Sequence, residues 1–177
     1  AGMNSSAEQP GEGWSDWAWL VMQIKSGDTR NDARGIGTFT MNQATTGLGI
    51  REYRYSTDMA VNPHTFGDTN DQWYNDGTTD RVDVHGLGSI WAVMLWDLTW
   101  NYIDKYGYSS NIYNGTGGNN KVMRLVIDAM KLTPANPSLI DCRNAIIQAD
   151  LNTTNGQDYC MIWETFARRG MGVNASS

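Results

Sequence analysis

Glu12 and Asp16 stand four positions apart in the segment Gly11-Glu12-Gly13-Trp14-Ser15-Asp16. On a helix that spacing projects both carboxylates from one face. Like charges there repel unless something positive lies between or beside them. A metal ion would supply it, as would a metal-ligating histidine supported by one of the two acids. The plainer alternative is acidic charge complementing the positive end of a helix dipole. That suits Glu12 and leaves Asp16, set among Trp14, Trp17 and Trp19, without a reason.

A second constellation is Asp80-Arg81-Val82-Asp83-Val84-His85. His85 heads a strongly apolar stretch, at the mouth of a core. An imidazole so placed can donate a hydrogen bond to a developing oxyanion, with Asp80 or Asp83 holding its tautomer. The competing reading is a surface or capping histidine with unrelated acids nearby. The other histidine, His64, follows the turn Asn62-Pro63. Two isolated histidines without an i,i+4 partner do not complete a zinc site. The chain has no Gly-rich phosphate loop, no C-x-x-C pair and no nucleophile elbow.

The elements that must position these groups are mainly helical. Trp14, Trp17, Leu20, Val21 and Ile24 recur at three- and four-residue steps and predict a helix from Gly13 to about Lys25. Leu87, Ile90, Trp91, Met94, Leu95, Leu98, Tyr102 and Ile103 predict a long one from Val84 to Tyr106, stopped by Gly107. Its apolar stripe is broad, so it should be central and mostly buried. Further helices are expected near Asn120 to Leu132, from Ser138 (with a capping box to Asp141) to Leu151, and near Asp158 to Arg169. Between the first two lies a long irregular segment, residues 27–83, in which residues 51–57 could form a short strand. A connection of that length is more often functional than idle. The expected fold is one mainly α domain of about five helices over residues 1–177.

Composition narrows the function classes. The net charge is −6 and no run of Lys or Arg marks a nucleic-acid footprint. No stretch approaches the ~20 apolar residues of a membrane span. No signal peptide opens the chain, since residues 1–11 read as polar loop; a secreted protein would have been processed. Cys142 and Cys160 could close a loop worth roughly 3 kcal/mol in an oxidising compartment, or be buried free thiols. Sequons at Asn4, Asn114, Asn152 and Asn174 fit export in a eukaryote, and also fit a chain rich in Asn, Ser and Thr.

The segment Gly11 to Asp16 resembles the one that supplies the third zinc ligand in fungalysins, secreted zinc metallopeptidases of the thermolysin-like kind. Gly49 to Asp58, followed by Val61-Asn62-Pro63, resembles the stretch after it. Val84-His85 with Gly88, Ile90-Trp91-Ala92, Met94-Leu95-Trp96 and Asp104 to Gly107 resembles the family's histidine helix. Leu125 to Asp128, Arg143 to Ile146, Ile162-Trp163 and Arg169-Gly170 continue in family order to about residue 174.

The resemblance implies the C-terminal, helical half of a catalytic domain, extracellular and acting on peptide or protein substrates. Glu12 would be the third zinc ligand and Asp16 would support a histidine ligand from the missing N-terminal half. His85 would stabilise the tetrahedral oxyanion formed as zinc-activated water attacks a peptide carbonyl, with Asp80 orienting it. Arg51 or Arg54 would hold a substrate carbonyl. An extracellular peptidase would also close Cys142 onto Cys160. The family's H-E-x-x-H helix, with two zinc histidines and the general-base Glu, is not in this chain. One carboxylate cannot hold zinc alone, because such sites take three protein ligands. The chain is therefore expected to be inactive by itself. Two other classes are consistent with the composition: a Trp-rich module binding carbohydrate or protein, and a glycosidase using two acids such as Glu12 and Asp80. Helical spacing of most Trp argues for core over a sugar platform.

Overall fold

The computed structural model describes residues 8–75 and 77–176, so the sequon at Asn4 lies outside the described residues. Its helices are α1 (Gly11–Met22), α2 (Val84–Tyr106), α3 (Gly118–Leu132), α4 (Leu139–Thr154) and α5 (Tyr159–Arg168). The mainly α expectation stands, with α2 starting and stopping at the residues its periodicity marked.

The helix α2 is the axis. It is buried continuously from Leu87 to Trp100, because α1, α3 and α5 pack on it while α4 leans on α3 and α5. Asp83 caps its first turn: Oδ1 accepts the backbone N–H of His85 at 3.0 Å and of Gly86 at 3.1 Å. Gly107, at φ 77°, ends it in a backbone region that favours glycine.

The packing of α1 on α2 sets the site. A Cβ added to Gly88 would lie 2.6 Å from Glu12 Cβ and 2.8 Å from the Gly13 nitrogen, so the two backbones nearly touch there. Trp14 meets Trp91 edge to face at 5.2 Å, and Trp17 Nε1 donates to Thr99 Oγ1 at 2.8 Å. Gly88→Ala is therefore expected to lower stability by about 1–3 kcal/mol through overpacking. Gly67→Ala is the control, since its added Cβ meets nothing nearer than 3.7 Å. Equal urea midpoints for the two variants would show that the crossing has room to spare.

Residues 23–83 are irregular, as their punctuation suggested. They hold isolated bridges (Arg34 with Tyr55, Ile36 with Gly49), a 3₁₀ helix (Phe66–Asp71) and a hairpin of β1 (Trp73–Asn75) and β2 (Asp80–Val82). The strands are antiparallel, with Trp73 opposite Val82 and Tyr74 opposite Arg81. The strand expected over residues 51–57 does not form beyond its single bridge at Tyr55. The side chains of this stretch instead turn into the helical body, where Arg51 and Tyr55 both reach Asp16.

The expected Cys142–Cys160 bridge is corrected: both are free, Cys142 buried in the first turn of α4 and Cys160 exposed on α5. A Cβ added to Gly156 would lie 3.1 Å from Leu151 Cδ2 and 3.7 Å from Tyr159 Cβ, which puts the start of α5 at the far end of α4 from Cys142. The helix between Cys142 and Leu151 rises roughly 13 Å, and a disulfide tolerates Cα separations of only about 7 Å. Burial pushes the Cys142 thiol up to about 12, which keeps it protonated and inert.

Candidate active site

The first turn of α1 presents Glu12 outward, its side chain 42 % exposed, while Asp16 one turn later is buried. The positive group that this pair requires is a guanidinium. Arg51 Nε donates to Asp16 Oδ2 at 2.7 Å and its Nη2 to Asp16 Oδ1 at 2.9 Å. The same Nη2 reaches Glu12 Oε2 at 3.2 Å. Burial opposes the Arg51 charge, yet the hydrogen bonds and charge of Asp16 outweigh it and hold the guanidinium pKa above its ordinary value.

Tyr55, wholly buried, donates its hydroxyl to Asp16 Oδ2 at 2.7 Å. Burial, and then the Asp16 charge, raise the phenol well above its usual range, so it stays a donor. Three hydrogen bonds thus hold Asp16 rigid, two on Oδ2 and one on Oδ1, and Oδ1 can accept one more. Tyr55 was not singled out from the sequence, and the one signal for it was a second polar ring in the segment already suspected.

His85 closes the group from α2. Its Nε2 lies 3.6 Å from Glu12 Oε2 and its Nδ1 lies 3.9 Å from Asp83 Oδ1, with the ring 61 % exposed. Glu12 Oε2 therefore stands between the Arg51 guanidinium and the His85 ring. Arg54 is not part of this assembly: its Nη1 donates to the Thr46 carbonyl at 3.2 Å. Asp80 lies on β2, in the strand that runs through Asp83 into α2. A cavity of about 500 Å³ lies away from these groups, lined in part by Arg30, Asn101, Lys105 and Arg168. Glu12 and His85 are both open to solvent.

Among the described residues no three His, Cys, Asp or Glu are grouped closely enough to hold a metal ion. The face does fit as part of a donor set. Glu12 Oε1 makes no hydrogen bond among the described residues, and the remaining oxygen is pinned by Arg51. One fixed, exposed carboxylate with an open oxygen is what a single metal ligand needs.

The description of the family Fungalysin metallopeptidase matches residues 2–175. The chain belongs to the fungalysin family. It is 42 % identical over 170 residues to extracellular metalloproteinase 2 of Arthroderma gypseum, covering 93 % of this chain and 25 % of that protein. It is 41 % identical over 174 residues to probable extracellular metalloproteinase 4 of Trichophyton verrucosum, again 25 % of that protein. Against extracellular metalloproteinase 4 of Trichophyton soudanense the identity is 42 % and the share of that protein 41 %. This fungalysin chain thus spans about a quarter of the length of most of the curated relatives it matches. Its Trp side chains serve mainly as core: Trp14, Trp17, Trp91, Trp96 and Trp100 are buried, and Trp73 on the hairpin is half exposed.

Proposed function

We propose that this chain forms one wall of the active site of a secreted zinc metalloendopeptidase, facing a segment that carries H-E-x-x-H. The observation that carries the reading is the convergence of Glu12, Arg51 and His85, with Glu12 Oε2 3.2 Å from Arg51 Nη2 and 3.6 Å from His85 Nε2. Glu12 is the chain's zinc ligand, through the oxygen that Arg51 leaves open. Zinc, when bound, supplies a Lewis acid that polarises the scissile carbonyl and acidifies water. His85, exposed and free to rotate a proton outward, donates to the oxyanion as the carbonyl carbon becomes tetrahedral. Asp80 orients that ring from β2, and Asp16 supports a histidine ligand of the facing segment.

Arg51, rather than Arg54, takes the substrate carbonyl. Its Nη1 has no hydrogen-bond partner among the described residues, and Asp16 and Glu12 fix the plane of the fork. Residues 1–177 act as one helical half-domain. Phe39 at 93 % exposure, with Met41, Leu48 and Ile50 about half exposed, supplies apolar area for the facing half to cover.

The test is metal dependence with a subunit control. The complete peptidase, stripped by a chelator, is expected to lose peptide hydrolysis and to regain it on adding zinc. This chain alone, with or without zinc, is expected to hydrolyse nothing. A chelated enzyme at full rate, or zinc-independent hydrolysis by the chain alone, would refute the reading.

A further inference from the structure

The peptidase reading leaves unused a second constellation beside Arg51. His64 is 4 % exposed, and its Nε2 has no hydrogen-bond partner among the described residues. Tyr53 holds the ring edge to face at 4.9 Å. Nε2 lies 3.9 Å from Glu52 Oε2, and Nδ1 lies 3.9 Å from Asp68 Oδ2. Together with Asp71 and Gln72 these residues line a cavity of about 260 Å³.

The cavity's charge is one-sided. Glu52, Asp68 and Asp71 contribute carboxylates, and neither Lys nor Arg is in the lining. Burial lowers the His64 pKa from its ordinary value, against the pull of Glu52 and Asp68 and with the push of Arg169, so the ring is neutral at pH 7. A buried ring nitrogen without a partner is unfavourable, and a donor brought by a ligand relieves it. No three ligating side chains among the described residues come close enough together to hold a metal ion by themselves. An organic cation needs only acceptors and room for its stem.

Two of the lining residues neighbour the site. Glu52 follows Arg51 in the chain. Gln72 packs over the first turn of α2, where a Cβ on Gly86 would fall 1.6 Å from its Oε1, next to His85.

We propose that this cavity is a subsite for a lysine or arginine side chain of the peptide substrate. Glu52 is its charge partner, and His64, with its proton on Nδ1 toward Asp68, is a neutral acceptor at Nε2. The proposal rests on the peptidase reading above.

The experiment uses the complete, zinc-loaded peptidase and matched peptides in which one position after another carries Lys, norleucine or Glu. At one position Lys is expected to exceed norleucine in kcat/KM by about twofold to fivefold, the return of one exposed ion pair. Glu52→Gln brings that ratio to near one, and Glu52→Lys turns the preference toward Glu. His64 is left in place because its buried ring supports the surrounding turn. A flat profile at every position, or a Lys preference indifferent to Glu52→Gln, overturns the subsite while leaving the peptidase reading intact. Failure to cleave the norleucine peptides as well as the Lys peptides overturns the peptidase reading and the subsite with it.

Discussion

Glu12→Gln in the complete peptidase is expected to lower zinc affinity and peptide hydrolysis together, by more than the roughly 100-fold that losing an outer partner of a metal ligand costs. Gln keeps the length of the side chain, and its amide oxygen can still accept from Arg51 Nη2, which sits 3.2 Å from Glu12 Oε2. The fold should therefore survive, because the side chain is 42 % exposed and packs against little that a neutral amide would disturb. What disappears is the negative charge that, on the reading proposed above, would hold a dication, and that faces the Arg51 guanidinium. Metal content after dialysis and kcat/KM on one peptide should fall in step. An enzyme that keeps one equivalent of zinc and its rate after Glu12→Gln would remove Glu12 from the ligand set.

The second large effect concerns stability and lies away from the chemistry. Arg169→Met is expected to destabilise the chain by about 3–5 kcal/mol, the range for breaking one side of a buried ion pair. Arg169 is wholly buried, and so is its partner Asp97 on α2. Its Nε and Nη2 reach Asp97 at 2.7 and 3.2 Å, while Nη1 donates to the carbonyls of Asn62 and His64 at 2.9 and 2.8 Å. Met fills part of the volume and satisfies none of these acceptors. Among the described residues Asp97 would keep Arg168 alone as a side-chain partner, whose Nη1 is 2.7 Å away and whose side chain is 40 % exposed.

Because the two carbonyls belong to the irregular segment, the loss should be felt there as well as at the end of α5. Urea unfolding should show a lower midpoint with an unchanged slope, the signature of altered stability without altered compactness. Arg168→Met, at the solvent edge of the same cluster, should cost about 1 kcal/mol or less. Equal midpoints for the two variants would show that the buried network is not what anchors the segment.

The two effects describe one design. Within residues 51–64, Arg169 ties the carbonyls of Ser56, Asn62 and His64 to the end of α5 and to α2, and Arg51 and Tyr55 tie the start of the stretch to α1. A segment with no helix or extended strand of its own is thereby held against two helices by buried polar contacts. Those contacts fix the plane of Arg51 beside Glu12.

The sequence by itself determined the helices, the central burial of α2, and Glu12 and His85 as the residues to watch. Each of these is local information. A stripe at three- and four-residue steps states which face must leave water, and Gly107 or the Ser138–Asp141 box states where a helix stops or starts. The tertiary structure alone decided what neutralises Glu12 and Asp16. The pattern named a metal or a histidine as the positive neighbour, and within this chain the fold also supplies Arg51, 35 positions from Asp16 along a stretch with no period to read. It also decided against the Cys142–Cys160 bridge, because spacing along a chain says nothing of a rigid helix lying between two thiols. His64, read as a lone turn histidine, became a buried ring facing Glu52 only once Arg169 had gathered its backbone inward. Helical burial repeats within a few residues and can be read there, whereas ion pairs form wherever the folded path brings charges within reach, and that path is set by the whole core.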